Sequence, residues 1–60
     1  MNLLYEIEKF LHRNNMSPTR FGRLAVRDPR LVGDMRRGRE VREAMERRVR
    51  GFIDDHQVQQ

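Results

Sequence analysis

Arginine is the residue type through which this sequence could do most of its chemistry. Of the 13 Lys and Arg residues, all except Lys9 are Arg, and the nine Asp and Glu residues leave a net charge of +4. The guanidinium group presents a planar fork of donors that fits phosphate oxygens and the edge of guanine, whereas the Lys ammonium is a point charge. Residues 17–50 hold eleven of the Arg residues and five of the carboxylates, a net charge of +6. This concentration favours a polyanionic partner, and a solvated Arg-rich surface is the alternative.

Metal, redox and acid–base chemistry find little support in the sequence. The 60 residues include no Cys, and His12 and His56 have no partner at metal-ligand spacing. We therefore interpret both as surface histidines and expect no metal and no cofactor. A chain of this length buries only about 60% of the surface that its unfolded form exposes, which leaves no interior for a water-free cleft. We expect that the protein is not an enzyme and, without a long apolar run, that it does not enter a membrane.

The spacing of apolar residues predicts an all-α domain over residues 1–56, with a frayed tail at 57–60. Asn2 and Ser17 are the predicted N-caps of the first two helices, and Pro18 fits the first helical position, where its missing N–H is not needed. Asp28-Pro29 repeats this cap-then-proline pattern before a third helix. The predicted helices span about 3–13, 18–25, 29–37 and 41–55.

The predicted helix ends and core follow from the same pattern. Asn14-Asn15 and Gly38 are expected to end the first and third helices, because Asn and Gly tolerate the left-handed conformation. The expected inward residues include the four aromatics and three methionines, namely Tyr5, Phe10, Phe21, Phe52, Met16, Met35, Met45, together with Leu24 and Ala25. The fourth helix has more apolar positions than a small core consumes, so we predict a homodimer through them. Those positions are Val41, Met45, Val49, Phe52 and Ile53.

The second and third predicted helices are short and joined by a turn of three or four residues, which is the geometry of a helix-turn-helix. Residues 16–38 resemble the Cro/phage-repressor type of helix-turn-helix DNA-binding domain, also called XRE-like. Ser17 matches the cap of its second helix, Phe21-Gly22 the apolar-small pair that allows close helix crossing, and Arg37-Gly38 the terminator. Val32 and Met35 match the core positions of its recognition helix. With the outer helices, the resemblance covers about 55 of the 60 residues.

The resemblance implies a compact four-helix lambda-repressor-like fold and a bacterial or phage transcription regulator that is cytoplasmic and associated with the nucleoid. The sequence departs from the pattern at three positions. Val26 replaces the usual turn Gly, so either the turn has another shape or the second helix is longer than predicted. Pro18 replaces a polar residue, often Gln, that contacts DNA. Gly33 lowers helix propensity by about 1 kcal/mol and either admits the DNA backbone or is simply tolerated.

If the third helix enters a major groove, we expect the outward residues near its N-terminus to contact the base edges. The predicted base-reading residues are Pro29, Arg30, Gly33 and Asp34. Arg30 is expected to bind guanine, whereas Asp34 either accepts from cytosine or only pairs with Arg30 or Arg37. The predicted phosphate contacts are Arg20, Arg27, Arg36, Arg37 and Arg39, with plain solvated arginines as the alternative. The charges of the fourth helix are interpreted as a salt-bridged exposed face.

Three functions remain open from the sequence. The first is a sequence-specific regulator that binds double-stranded DNA with helix 29–37 in the major groove. The second is an adaptor of the same fold whose Arg-rich face binds a transcription-machinery protein or a phage factor. The third is RNA binding, which the sparse aromatic residues, all at expected core positions, argue against.

Overall fold

The computed structural model describes the backbone of residues 2–58 and the side chains of residues 2–56. Its helices are α1 (Leu3–Asn14), α2 (Pro18–Val26), α3 (Leu31–Arg36) and α4 (Glu43–Val58), and no strand occurs in the described backbone. The all-α prediction is confirmed. No helix within residues 2–58 is both long enough and apolar enough to cross a bilayer.

The predicted caps form through local hydrogen bonds. The Asn2 Oδ1 atom accepts from the Leu4 N–H at 2.9 Å, and the Ser17 Oγ atom accepts from the Arg20 N–H at 3.1 Å. Asn15 ends α1 in the left-handed conformation, with φ 51°, and Gly38 follows α3 with φ 107°. These four positions were predicted correctly because capping depends on residues close in sequence.

The ends of the last two helices differ from the prediction. α3 begins at Leu31 rather than at Pro29, and it ends at Arg36. α4 begins at Glu43 and continues to Val58, past the predicted end at about 55, so two of the four residues assigned to a frayed tail are helical. Gln59 and Gln60 lie outside the described residues.

The core is built from one face of every helix. Its buried members are Leu3, Ile7, Phe10, Leu11, Phe21, Val26, Leu31, Val32, Val49 and Ile53. At its centre, Phe10, Phe21 and Phe52 pack edge to face, with ring centroids 5.4–5.8 Å apart. This cluster joins α1, α2 and α4. Aromatic pairs in this geometry contribute about 0.5–1.5 kcal/mol beyond their buried area.

Three expectations about side chains are wrong. Tyr5 and Leu24 were expected in the core, but they are 57% and 51% exposed. Neither lies on the face of its helix that meets the three Phe rings. His56 was interpreted as a surface histidine, but it is half-buried. Its ring centroid lies 4.2 Å from that of Phe52, and its Nδ1 atom lies 3.2 Å from the Phe52 carbonyl oxygen.

Gly22 sets how closely α2 approaches the segment before α3. A Cβ atom built at Gly22 would overlap the carbonyl oxygen of Asp28 and would lie 3.1 Å from its carbonyl carbon. The obstacle is backbone, which cannot move aside as a flexible side chain can. Gly22 is therefore a steric requirement of the turn before α3, and its contact with α3 itself is milder, with the Cβ 3.4 Å from Leu31 Cβ.

We predict that Gly22→Ala lowers the free energy of unfolding by about 1–3 kcal/mol, the usual cost of forcing extra atoms into a packed region. Gly33→Ala is the matched control, because its Cβ would meet only the Arg37 guanidinium, at 3.7 Å. The control should be neutral or more stable, because Ala favours helix over Gly by up to about 1 kcal/mol. Urea unfolding of both variants measures the difference, and equal stabilities would contradict the steric requirement.

Candidate nucleic-acid interface

The turn after α2 takes the left-handed conformation without a glycine. Val26 is the last residue of α2 and is buried, and the left-handed conformation falls on Arg27, with φ 60°. The Arg27 N–H donates to the Arg23 carbonyl at 3.1 Å, and the Asp28 N–H donates to the Gly22 carbonyl at 2.9 Å. Of the two alternatives that Val26 left open, the longer second helix is the one observed.

Asp28 organises the turn between the helices. Its Oδ1 atom accepts from the Arg30 N–H at 3.0 Å, and its carbonyl accepts from the Leu31 N–H at 3.1 Å. The carboxylate binds the N–H two residues on, as Asn2 does at the start of α1, and so caps the segment as expected. The Asp28 carbonyl, however, accepts from the N–H three residues on rather than four, so Pro29 and Arg30 form a tight turn and α3 begins two residues later than predicted.

α3 has one buried side and one side that is exposed or partly exposed. Leu31 and Val32 are fully buried, and Met35 is partly buried against the same core. Four residues at helical spacing occupy the other side, namely Arg30, Gly33, Asp34 and Arg37. This set contains three of the four predicted base-reading residues, and the fourth, Pro29, is exposed in the turn.

Asp34 takes part in ion pairs within the chain. Its Oδ1 atom binds Arg37 at 2.8 Å, and its Oδ2 atom lies 3.3 Å from Arg39, which also binds Asp28 at 2.9 Å. Arg39 thus connects the turn before α3 with α3 itself. Its hydrogen bond, together with the Arg30 N–H, holds the pKa of Asp28 below its usual range. The arrangement matches the alternative interpretation of Asp34, a salt bridge that positions Arg37, and adds Arg39.

Arg36 points back toward α1. Its guanidinium binds both carboxylate oxygens of Glu8, at 2.7 and 2.8 Å, and this hydrogen-bonded pair holds the pKa of Glu8 below its usual range. Arg36 is therefore engaged in fixing α3 on α1. Three of the five predicted phosphate contacts, Arg36, Arg37 and Arg39, are in ion pairs within the chain, although the Arg37 side chain remains 73% exposed.

The other two predicted phosphate contacts, Arg20 and Arg27, and the predicted base-reading residue Arg30 are exposed and form no ion pair with any side chain of residues 2–56. Arg23, which is not among the predicted DNA contacts, is likewise exposed and without an ion pair among these side chains. The α2 arginine face consists of Arg20, Arg23, Leu24 and Arg27. These positions recur at helical spacing opposite buried Phe21, Gly22 and Val26.

A signal for this face was present in the sequence. Arg20, Leu24 and Arg27 are four and three residues apart, so one helix face must carry all of them. The interpretation of Leu24 as a core residue hid that face, because it assumed that a leucine in a short helix is buried. An exposed leucine is common on protein surfaces, whereas one flanked by three arginines marks a defined patch.

The described side chains contain no group of three or more His, Asp or Glu that could hold a metal ion. Comparison of the chain with protein-family models, with curated proteins and with solved structures returns no match. The case for a function therefore depends on the side chains and their geometry.

Acid is expected to weaken the turn before α3. Arg39 and the Arg30 N–H keep the pKa of Asp28 below its ordinary value of 3.8. A carboxyl group with a lower pKa in the folded chain stabilises the fold above the unfolded value and loses that contribution as pH falls through the folded value. We predict that Asp28→Asn is less stable than the wild type at pH 6, and that the difference shrinks as pH falls below about 3.8.

Urea unfolding across this pH range makes the measurement. Glu40→Gln is the control, because Glu40 is exposed and forms no ion pair among the described side chains. Its stability should follow that of the wild type throughout. A gap between Asp28→Asn and the wild type that stays constant to the acid end of the titration would contradict a charge-dependent role for Asp28.

Proposed function

We propose that the protein is a sequence-specific regulator of transcription that binds double-stranded DNA. The observation that carries the proposal is the α2–turn–α3 unit, which keeps Arg20, Arg23, Arg27 and Arg30 exposed and free of ion pairs with the described side chains. By contrast, Arg36 of α3 and Arg50 of α4 are paired with carboxylates of α1. Unneutralised guanidinium groups concentrated on one unit favour a polyanion as partner.

In this proposal α3 lies in the major groove with Arg30 and Gly33 toward the bases. Arg30 donates to O6 and N7 of guanine, a bidentate contact that discriminates by about 1–3 kcal/mol. Gly33 has no neighbour that a Cβ would strike, so its small size is not a requirement of packing. In this proposal its small size permits close approach of DNA, and Gly33 is not merely tolerated in the helix. Pro29 contacts the base pair at the end of the site.

The α2 arginine face and Arg37 contact phosphates in this arrangement. Phosphate contacts fix the register of a protein on the duplex without reading its sequence. Asp34 acts by positioning, because it holds Arg37 and Arg39 through its two oxygens. The resemblance of residues 16–38 to the Cro/phage-repressor type supports the same roles. A protein with this function acts in the cytoplasm, at the nucleoid.

One observation favours the adaptor as a second candidate. Leu24 is 51% exposed at the centre of the α2 arginine face, and Arg around an apolar residue is typical of the core of a protein–protein interface. Salt dependence separates the candidates. A DNA reader loses affinity steeply as salt rises, by about 0.9 in log K per phosphate contact and unit of log salt, whereas an interface centred on Leu24 responds weakly.

We predict that Arg30→Ala and Arg23→Ala weaken DNA binding in different ways. Arg30→Ala should reduce affinity for the preferred duplex, selected from a random pool, by about 5- to 150-fold and leave non-specific binding unchanged, because a base contact worth about 1–3 kcal/mol is lost. Arg23→Ala should weaken binding to all duplexes and reduce the salt slope by about 1. Fluorescence anisotropy at several salt concentrations measures both.

Arg13→Ala is the matched control, because Arg13 is an exposed α1 arginine without an ion pair among the described side chains. It should bind DNA like the wild type. If Arg30→Ala and Arg23→Ala had the same effect on every duplex, the assignment of α3 as the reading helix would be wrong. If all three variants bound alike, the DNA proposal itself would fail.

A further inference from the structure

The outward side of α4 carries a charge pattern that the proposed function does not use. Arg47 and Arg48 precede Gly51 by four and three residues, and Asp54 and Asp55 follow it by three and four. All five residues are exposed and recur at helical spacing on one side of α4. We call them the α4 charged face. The spacing is symmetric about Gly51. A second α4 that runs in the opposite direction through the same point therefore places its aspartates where the first has its arginines.

The opposite side of α4 is already used by the fold. Val49 and Ile53 are buried in the core, and Val41, Met45 and Phe52 pack against it. These are the apolar residues through which a homodimer is predicted from the sequence. Because they pack within the same chain, they leave little apolar surface for a second copy. The exposed side of α4, which carries the α4 charged face, is therefore the side best placed to contact another molecule.

The charges of this face have no other evident task. Arg48, Asp54 and Asp55 form no ion pair among the described side chains, and Arg47 binds only Glu43, at 2.9 Å with both side chains more than 70% exposed. Such exposed pairs exchange partners at little cost. Asp55 also lies in the last turn of α4, where a negative charge is unfavourable for the helix dipole. Helix stability therefore does not account for the pattern.

From this pattern we infer that α4 pairs with α4 of a second copy of the chain, antiparallel and related by a twofold axis at Gly51. In that arrangement the two arginines of each copy lie opposite the two aspartates of the other. Gly51 lacks a side chain at the crossing point and allows the helices to approach closely. A polyanion fits this face poorly, because Asp54 and Asp55 would repel it. The inference does not depend on the proposed DNA function.

Single cysteines test the geometry, since the chain contains no Cys. In the antiparallel pair, residue 51 faces its own symmetry mate, so Gly51→Cys should form a disulfide-linked dimer under mild oxidation. Ala44→Cys is the matched control, because Ala44 is exposed on the same helix seven residues away. Its two copies would lie about 21 Å apart, too far for a disulfide. Equal crosslinking of the two variants would overturn the proposed register.

Charge reversal tests the recognition. The double variant Arg47→Glu with Arg48→Glu makes the face negative, and Asp54→Arg with Asp55→Arg makes it positive. Each should self-associate at least about tenfold more weakly than the wild type, because like charges then face each other. Mixed in equal amounts, the two should form a 1:1 heterodimer. Sedimentation equilibrium at low salt measures all three samples, and circular dichroism checks that each variant is helical.

Three results would overturn the inference. They are a wild type that stays monomeric at about 1 mM protein, a wild-type dimer that neither double variant weakens, and two double variants that do not combine. None of these bears on binding of DNA by α2 and α3, which the Arg30 and Arg23 variants test separately.

Discussion

The close contact between Gly22 and Asp28 is the constraint on which the arrangement of α2, the turn and α3 depends. The Asp28 N–H donates to the Gly22 carbonyl, and the space where a Gly22 side chain would stand is occupied by the Asp28 carbonyl. This contact sets where the chain turns, and the turn directs Leu31 and Val32 into the core. With those two residues buried, Arg30 must face outward. The position of α3 is then held by the burial of Leu31 and Val32 and by the Arg36–Glu8 pair, and the Gly22–Asp28 contact sets where the chain enters it.

The arginines divide into two groups that have different physical tasks. Arg36, Arg39 and Arg50 each bind a carboxylate from another helix or from the turn, at 2.7–2.9 Å, and so connect elements of the fold. A paired guanidinium contributes little net field, whereas an unpaired one attracts phosphate over several ångströms. The potential of the surface therefore comes mainly from the unpaired arginines, and four of these, Arg20, Arg23, Arg27 and Arg30, lie close together in sequence on α2 and the following turn. Net charge alone does not reveal this division.

The sequence was sufficient wherever structure depends on neighbouring residues. The caps at Asn2 and Ser17 and the left-handed positions at Asn15 and Gly38 follow from the chemistry of single side chains. The predicted start of α3 was wrong although Asp28 accepts from the Arg30 N–H as a cap does. The Asp28 carbonyl bonds to the N–H of Leu31, three residues on, which makes a tight turn of Pro29 and Arg30, and side-chain capping chemistry alone does not distinguish this turn from the first turn of an α-helix.

The ion pairs between helices and the exposure of Leu24 could not be predicted, because they depend on contacts between residues distant in sequence. Glu8 and Arg36 are 28 residues apart, and Glu6 and Arg50 are 44 apart, so no local rule identifies these pairs. As a result, Arg36 could not be distinguished from an arginine available to a ligand. The exposure of Leu24 was also missed. Which side of α2 is buried depends on the packing of Phe21 against Phe10 and Phe52, which lie in other helices.

The short length of α3 connects the two proposals. Its six residues span about 9 Å, so in the proposed DNA complex one copy reads only a few base pairs. Specific binding in a genome would then require a second reading unit, and the proposed dimer supplies one through a contact between α4 charged faces that is polar and weak. A weak dimer forms efficiently when both copies bind adjacent half-sites, because binding to one duplex raises their effective concentration. Association through α4 and reading through α3 would therefore reinforce each other on DNA while leaving the free protein largely monomeric.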